Sequence, residues 1–109
     1  MPKKPFDTLT ESMFYVLLAF RCGSKCGTDV ALFIEQTTRG RLRIGPATLY
    51  TILGKFEKEK LIRQINVEGR KRTYQITAKG MEAYRAELAR LKACIADASS
   101  SDFHAEESI

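Results

Sequence analysis

The 109-residue sequence has no tryptophan and a single histidine. That histidine, His104, lies in an acidic C-terminal stretch, so the chain offers no histidine-based general acid or nucleophile pair. Its glycines flank no strand-to-helix phosphate motif, which argues against nucleotide chemistry. The sequence therefore predicts a protein that acts by binding, with no enzymatic activity, no cofactor and no metal.

Cysteine is scarce as well, at three residues. Cys22, Cys26 and Cys94 form no even disulfide framework, which fits a reducing compartment. Cys22 and Cys26 are four residues apart, but zinc needs four ligands and no second Cys/His pair follows. We interpret these two as structural thiols and Cys94 as a small hydrophobe. A thiol-based redox-sensing regulator stays open as an alternative.

Long apolar runs are missing. The run Met13–Phe20 is far too short to span a bilayer and lacks a small-residue cleavage site. We therefore expect a cytoplasmic protein with no membrane partner. The length fits one domain, and the modest core of so short a chain often gains from a partner subunit.

Positive charge is present and concentrated in one part of the chain. The net charge is +5, but residues 39–72 carry ten basic residues against three acidic ones, a local excess of +7. From Asp97 onward there are four acidic residues and no Lys or Arg. Attraction to DNA phosphates requires such a local field, and an ordinary solvated face is the alternative.

Residues 45–77 have the order of a winged helix-turn-helix: one helix, then two short strand-like runs. Pro46 suits a first helical position, because its fixed φ is already helical. Apolar residues recur at i, i+3, i+4 and i+7, which predicts a core-facing side: Leu49, Ile52, Leu53 and Phe56. On the opposite face hydroxyls and ammonium groups can meet base edges and phosphates: Thr48, Thr51, Lys55 and Lys58.

The predicted wing joins residues 61–67 to residues 73–76, two runs that favour β structure. Between them, Arg70, Lys71 and Arg72 form a turn whose cations suit a wing lying on the DNA backbone or minor groove. A solubilising turn is the alternative. For Tyr50 two interpretations stay open: its phenol donates to a phosphate, or its ring packs beneath the wing.

Two further helices are predicted before the helix that begins at Pro46, which we call the reading helix. Thr8 and Thr10 offer N-cap oxygens to the first, with Thr8 and Glu11 at capping-box spacing, and Gly23 ends it. Its broad apolar surface predicts a face toward a second subunit, with simple core packing as the alternative: Met13, Phe14 and Leu17.

The second helix is predicted to follow a turn over residues 23–27. Thr28 or Asp29 caps it, and it ends near Gly40. Residues 41–44 then have the pattern of a short strand.

Thr77 is predicted to cap a last helix that follows the wing. Its apolar residues repeat at intervals of three, four, three and four, which is a heptad seam: Met81, Tyr84, Leu88, Leu91 and Ile95. We interpret the seam as an intersubunit contact, with intramolecular packing as the alternative. The predicted organisation is a mainly α fold with a small β-hairpin: an arm (1–8), a winged domain (9–77), a dimerisation helix (78–98) and a disordered tail (99–109).

Three stretches of the chain carry a family resemblance. They read LTESMFYVLLAF, GRLRIGPATLYTILGKFEKEKLI and GRKRTYQITAKG. Together they resemble the PadR family of bacterial transcriptional regulators, in particular its short members, over residues 9–91. The resemblance implies a homodimer built from the first and last helices, whose winged domains enter successive major grooves of an inverted-repeat operator in double-stranded DNA.

The resemblance also implies which residues face the DNA: Ala47, Thr48, Tyr50 and Thr51 nearest the bases, Lys55 on the backbone, and Gly69, Arg70, Lys71, Arg72 and Thr73 as the wing. The resemblance implies a repressor, as most family members are; several release DNA when small aromatic or drug-like molecules bind, in some short members in a pore between the subunits. In one type a tryptophan of the last helix stacks on that ligand, and here Leu91 takes its place. Many relatives begin the second helix with His-Gly-Tyr, where this chain has Cys26, Gly27 and Thr28.

The effector expected here is an apolar or aromatic small molecule lodged between the subunits. Its predicted lining is Leu88, Leu91 and Ile95, with Met13, Phe14 and Leu17 opposite. A different class of protein, a winged-helix protein-interaction module whose third helix docks on a protein, is the alternative. The local charge excess of +7 argues against that alternative.

Overall fold

The computed structural model describes residues 9–100. Within this range the chain forms, in order, α1 (Glu11–Arg21), β1 (Lys25–Cys26), α2 (Gly27–Thr37), α3 (Pro46–Lys58), β2 (Ile62–Glu68), β3 (Lys71–Ile76) and α4 (Ala78–Ala98). Helices dominate and the strands form one small sheet, which confirms the predicted winged helix-turn-helix with a last helix. The predicted arm, the capping box at Thr8 and residues 101–109 of the predicted tail lie outside the described residues.

Threonine side chains begin α1 and α4. The Thr10 hydroxyl accepts a hydrogen bond from the Met13 N–H at 3.1 Å, and the Thr77 hydroxyl accepts one from the Gly80 N–H at 3.0 Å. Each bond satisfies a donor that has no partner inside its own helix. Thr77 also donates to the carbonyl of Lys60 at 2.6 Å, so the predicted cap of α4 is present and is tied to the end of α3.

The start of α2 differs from the prediction. The helix begins at Gly27, with Cys26 as an N-cap that makes no side-chain capping bond. The two predicted caps, Thr28 and Asp29, therefore lie inside the first turn. The physical reason is that Cys26 belongs to β1, so the chain passes directly from a strand into the helix.

The strand predicted at residues 41–44 is absent, and β1 takes the third place in the sheet. The strand order is β1-β3-β2, with Lys25 opposite Tyr74 and Cys26 opposite Thr73. In the 41–44 loop the Leu42 N–H is already bound by the Thr38 hydroxyl at 3.1 Å. The alternation seen in the sequence arises because the leucine and isoleucine of this loop pack against the core.

The wing is an antiparallel hairpin with one irregularity. A register shift between Gln64 and Asn66 leaves Ile65 as a bulge. Gly69 has a φ of +61°, a conformation that favours glycine at a tight turn. The turn is shorter than predicted, because Lys71 and Arg72 already belong to β3.

One apolar core joins all four helices and the sheet. The predicted inner face of α3 is confirmed, since its four members are buried: Leu49, Ile52, Leu53 and Phe56. They lie against buried residues of the other elements, chiefly Val16, Leu17, Phe20, Val30, Ile34, Ile62 and Tyr74. The reading helix is therefore fixed along its whole inner side.

The first turns of α4 pack on their own chain, which corrects part of the intersubunit interpretation. Tyr84 is buried and stacks on Phe14 with 5.5 Å between the ring centroids. Leu17 is fully buried in the same core, and Leu88 packs against it. Thr77 holds the start of α4 against the end of α3, so the first half of the apolar stripe completes the intramolecular core.

A buried carboxylate secures the middle of α4. Glu87 is 4% exposed, and Arg90 donates to it from Nε at 3.0 Å and from a second guanidinium nitrogen. The Arg90 guanidinium and the backbone N–H of Leu9 bind the charged form, which lowers the pKa of Glu87 below its ordinary value despite burial. The bond from the Leu9 N–H thereby joins Glu87 of α4 to the residues that precede α1.

No helix within residues 9–100 combines the length and the apolar character that crossing a bilayer requires.

Candidate nucleic-acid interface

The outer face of α3 presents short polar side chains to solvent. All five residues placed nearest DNA in the sequence analysis are exposed: Ala47, Thr48, Tyr50, Thr51 and Lys55. The hydroxyls of Thr48, Tyr50 and Thr51 have no hydrogen-bond partner within residues 9–100. Because the opposite face is anchored in the core, this outer face is a rigid row of free donors and acceptors.

The wing carries three cations that are free of ion pairs. Arg70, Lys71 and Arg72 are exposed, and none forms a salt bridge with any residue that the structure describes. By contrast, Arg41 is held by Glu11 at 2.7 Å, and Arg43 lies 3.4 Å from a glutamate of α2. Part of the basic segment is thus structural, and the three wing cations belong to the part that is left without ion pairs among the described residues.

A cleft of about 550 Å³ separates the wing from the start of α2 and the first turns of α3. Its lining is Cys26, Gly27, Thr28, Tyr50, Arg70, Lys71, Arg72 and Tyr74. The fold therefore brings Tyr50 and the three wing cations, which the sequence analysis had assigned to separate elements, around one space. An anion placed there meets positive charge on one side and a phenol on the other.

Sequence reasoning missed the contribution of α2 to this cleft. Cys26, Gly27 and Thr28 line it only because β1 pairs with β3 and draws the start of α2 against the wing. The one available signal was the Cys-Gly-Thr sequence at the start of the second helix. Tyr50 is 56% exposed, so its ring is not buried beneath the wing.

All three cysteines are free thiols. Cys26 is buried, and its Sγ donates to Asp29 Oδ2 at 3.2 Å and lies 3.2 Å from the Thr28 hydroxyl. Cys94 is exposed beside Arg90, so it is not the packed hydrophobe that the sequence predicted. Across residues 9–100, no three His, Cys, Asp or Glu side chains are grouped as metal ligands.

The residues predicted for a subunit or effector interface divide into three groups. Leu17 and Tyr84 are buried within the chain. Half-buried positions are Met13, Phe14, Met81, Leu88 and Leu91. Ile95 is 66% exposed. A cavity of about 370 Å³ lies between α1 and α4, with Phe14, Tyr15, Glu87, Arg90 and Leu91 in its lining.

A family model described as the transcriptional regulator PadR-like family matches residues 16–86. The match spans more than half of the 109-residue chain. The chain therefore belongs to the PadR-like family of transcriptional regulators, a family of regulators and not of enzymes. A comparison with curated proteins found no match.

Solved structures share the fold. A transcriptional regulator from Clostridium thermocellum is 24% identical, with 75% of this chain and 83% of that chain covered and a TM-score of 0.69. RosR from H. salinarum is 16% identical, with 94% of this chain and 89% of that chain covered and a TM-score of 0.67. PadR from Bacillus subtilis, solved in complex with operator DNA, is 19% identical. The match covers 81% of this chain and 59% of that chain, with a TM-score of 0.62.

Proposed function

We propose that the chain is a dimeric, sequence-specific DNA-binding regulator that represses transcription in the cytoplasm. The observation that carries the proposal is the cleft where three wing cations without ion pairs face Tyr50, which lies on the exposed side of α3. Uncompensated cations beside a row of free hydroxyls are the combination that DNA recognition uses. The B. subtilis relative with the same fold was solved with operator DNA.

The two parts of this surface have different roles in the proposal. Thr48 and Thr51 on α3 enter the major groove, where short hydroxyls hydrogen-bond to base edges. Lys55 and the wing residues contact phosphates, which position the protein and carry no sequence information: Gly69, Arg70, Lys71, Arg72 and Thr73. Selectivity therefore depends on the helix, and most of the affinity depends on the charges.

Dimerisation is assigned to the second half of α4. Leu91 is half-buried and Ile95 is 66% exposed, so the apolar stripe continues beyond the intramolecular core. When a second copy covers this surface, the dimer has two linked DNA-binding domains. An inverted-repeat operator with half-sites about 34 Å apart requires two such linked domains.

Repression is proposed to be relieved by an apolar or aromatic small molecule bound beside α1 and α4. The 370 Å³ cavity supports this proposal, because Phe14, Tyr15 and Leu91 give it apolar walls. A ligand there lowers DNA affinity only by the difference between its affinities for the two states, commonly about 1–3 kcal/mol. We expect Leu91→Trp to bind a planar bisbenzimide dye more tightly than wild type; equal affinities would remove Leu91 from the site.

The division of roles is tested by competition between an operator, selected from genomic fragments, and a scrambled duplex. Arg70→Ala and Lys71→Ala should weaken binding to both duplexes by similar factors. Thr48→Ala and Thr51→Ala should reduce the preference for the operator, each by about 5-fold to 100-fold. Thr37→Ala, exposed at the far end of α2, is the matched control and should leave both affinities unchanged.

Reversed results, with wing variants changing selectivity and threonine variants not, would overturn this division of roles. A wild-type protein that binds neither duplex at low salt would favour the protein-interaction module instead.

A further inference from the structure

Gly27, the first residue of α2, lies directly under the side chain of Tyr50 on α3. A Cβ atom on residue 27 would stand 2.8 Å from Tyr50 Oη, 3.0 Å from Cε1 and 3.1 Å from Cζ. These separations are shorter than van der Waals contact. The ring can therefore occupy its place only because residue 27 has no side chain.

The backbone does not require glycine at this position. Gly27 is an ordinary helical residue, and its φ is not in the left-handed region. Alanine is the better helix former, so glycine weakens the helix here. The three atoms nearest to the missing Cβ all belong to Tyr50, so the ring is the first group that a side chain at residue 27 would meet.

The place of the ring decides what the cleft can bind. Tyr50 lines the same 550 Å³ space as Arg70, Lys71 and Arg72, and its hydroxyl has no hydrogen-bond partner within residues 9–100. A phenol donates readily to a phosphate oxygen, and guanidinium and ammonium groups attract the same anion. Displacement of the ring would remove the phenol donor from the cleft and leave only the three cations.

We propose that Gly27 is a positioning residue for DNA binding. Because residue 27 has no side chain, the Tyr50 ring fits beside it and its hydroxyl lies at the cleft. There the hydroxyl donates to a DNA phosphate that the wing cations attract. The inference rests on the proposed DNA-binding function. A methyl group at residue 27 displaces the ring by rotation of its exposed side chain, which the fold tolerates. Gly27→Ala should therefore reduce DNA affinity and leave the folded chain intact.

A double-mutant cycle tests the coupling. Dissociation constants are measured at low salt with one labelled duplex of mixed sequence, because phosphate contacts do not depend on sequence. Gly27→Ala should bind about tenfold more weakly than wild type, the loss of one hydrogen bond to a charged group. Tyr50→Ala should lose at least as much. The double variant should bind within about twofold of Tyr50→Ala, because Gly27 acts only through the ring.

Two further measurements separate positioning from a general structural defect. Tyr50→Phe keeps the ring and removes the hydroxyl, so it should reproduce most of the loss. In the NMR spectrum of the free protein, the tyrosine ring should change the chemical shifts of the Gly27 α-protons; this effect should disappear in Tyr50→Ala and persist in Tyr50→Phe. Gln36→Ala, exposed near the other end of α2, is the matched control and should bind as wild type.

Several outcomes would overturn the inference. Wild-type affinity of Gly27→Ala, additive losses in the double variant, or unfolding of Gly27→Ala would each contradict it. If Tyr50→Ala binds as wild type while Arg70→Ala binds weakly, the inference fails and the proposed function stands. If wild-type protein does not bind the duplex, both fail.

Discussion

At the scale of single residues, two glycines on helices have opposite surroundings. A Cβ on Gly80 would stand 2.1 Å from the Leu61 carbonyl oxygen, whereas one on Gly54 would meet nothing within 4 Å. Gly80→Ala should therefore lower the free energy of unfolding by about 1–3 kcal/mol, because backbone cannot move aside cheaply. Gly54→Ala should raise it by about 0.5–1 kcal/mol through helix propensity. Urea unfolding of both variants checks the pair, and equal effects would contradict the close packing at Gly80.

The buried carboxylate of Glu87 gives a prediction about pH. Its pKa is lowered in the folded chain by Arg90 and the Leu9 N–H, so it stabilises the fold above its unfolded-state pKa. That contribution is lost as the pH falls through the folded pKa. Glu87→Gln should lower the free energy of unfolding by about 1–2 kcal/mol at neutral pH, and its unfolding should depend less on acid than that of wild type.

Glu11→Gln is the matched control for this measurement. Glu11 also pairs with an arginine, but both side chains of that pair are more than half exposed. Exposed pairs contribute little, so its effect at neutral pH should stay below about 1 kcal/mol. A larger loss for Glu11→Gln than for Glu87→Gln would contradict the burial argument.

At the scale of elements, the first half of α4 packs on its own core, and the second half is proposed to pack against a second subunit. Ile95→Glu should give monomers, because a carboxylate in an intersubunit seam must lose its water or separate the helices. Ala93→Glu adds the same charge on the opposite, exposed side of the helix and should leave a dimer. Sedimentation velocity distinguishes the two, and a dimer for both variants would remove this surface from the interface.

The same scale explains what the sequence could predict. The bounds of α3, its buried face and the Thr77 cap follow from neighbours within one or two turns, so local patterns suffice. The pairing of β1 with β3 joins residues far apart in the chain, and two residues of strand leave no periodic signal. The stripe on α4 was ambiguous because an apolar face looks alike whether it meets its own core or a second subunit. The proximity of Gly27 to Tyr50 was likewise invisible to local patterns, because it joins two different helices.

At the scale of the whole molecule, the charge distribution predicts a strong effect of salt. Each phosphate contact releases counterions, and the proposed dimer, with two wings and two reading helices, is expected to make roughly 6–10 such contacts. Affinity for DNA should therefore fall about a thousandfold or more between about 50 and 200 mM salt. Fluorescence anisotropy across that range checks this expectation. A flat salt response would mean that the wing cations do not contact phosphates.

The short strand β1 also has a mechanical consequence for the wing. It pairs only with Tyr74 and Thr73, whose partners in β2 are Gln64 and Asn66. The sheet is therefore three strands wide only beside the bulge at Ile65, and two strands wide from Val67 to the turn. The hairpin is thus braced by a third strand near its middle and has none beside Arg70. In the proposed DNA complex, a tip without a third strand can adjust to the phosphates of duplexes of different curvature, while α3, fixed along its buried side, cannot.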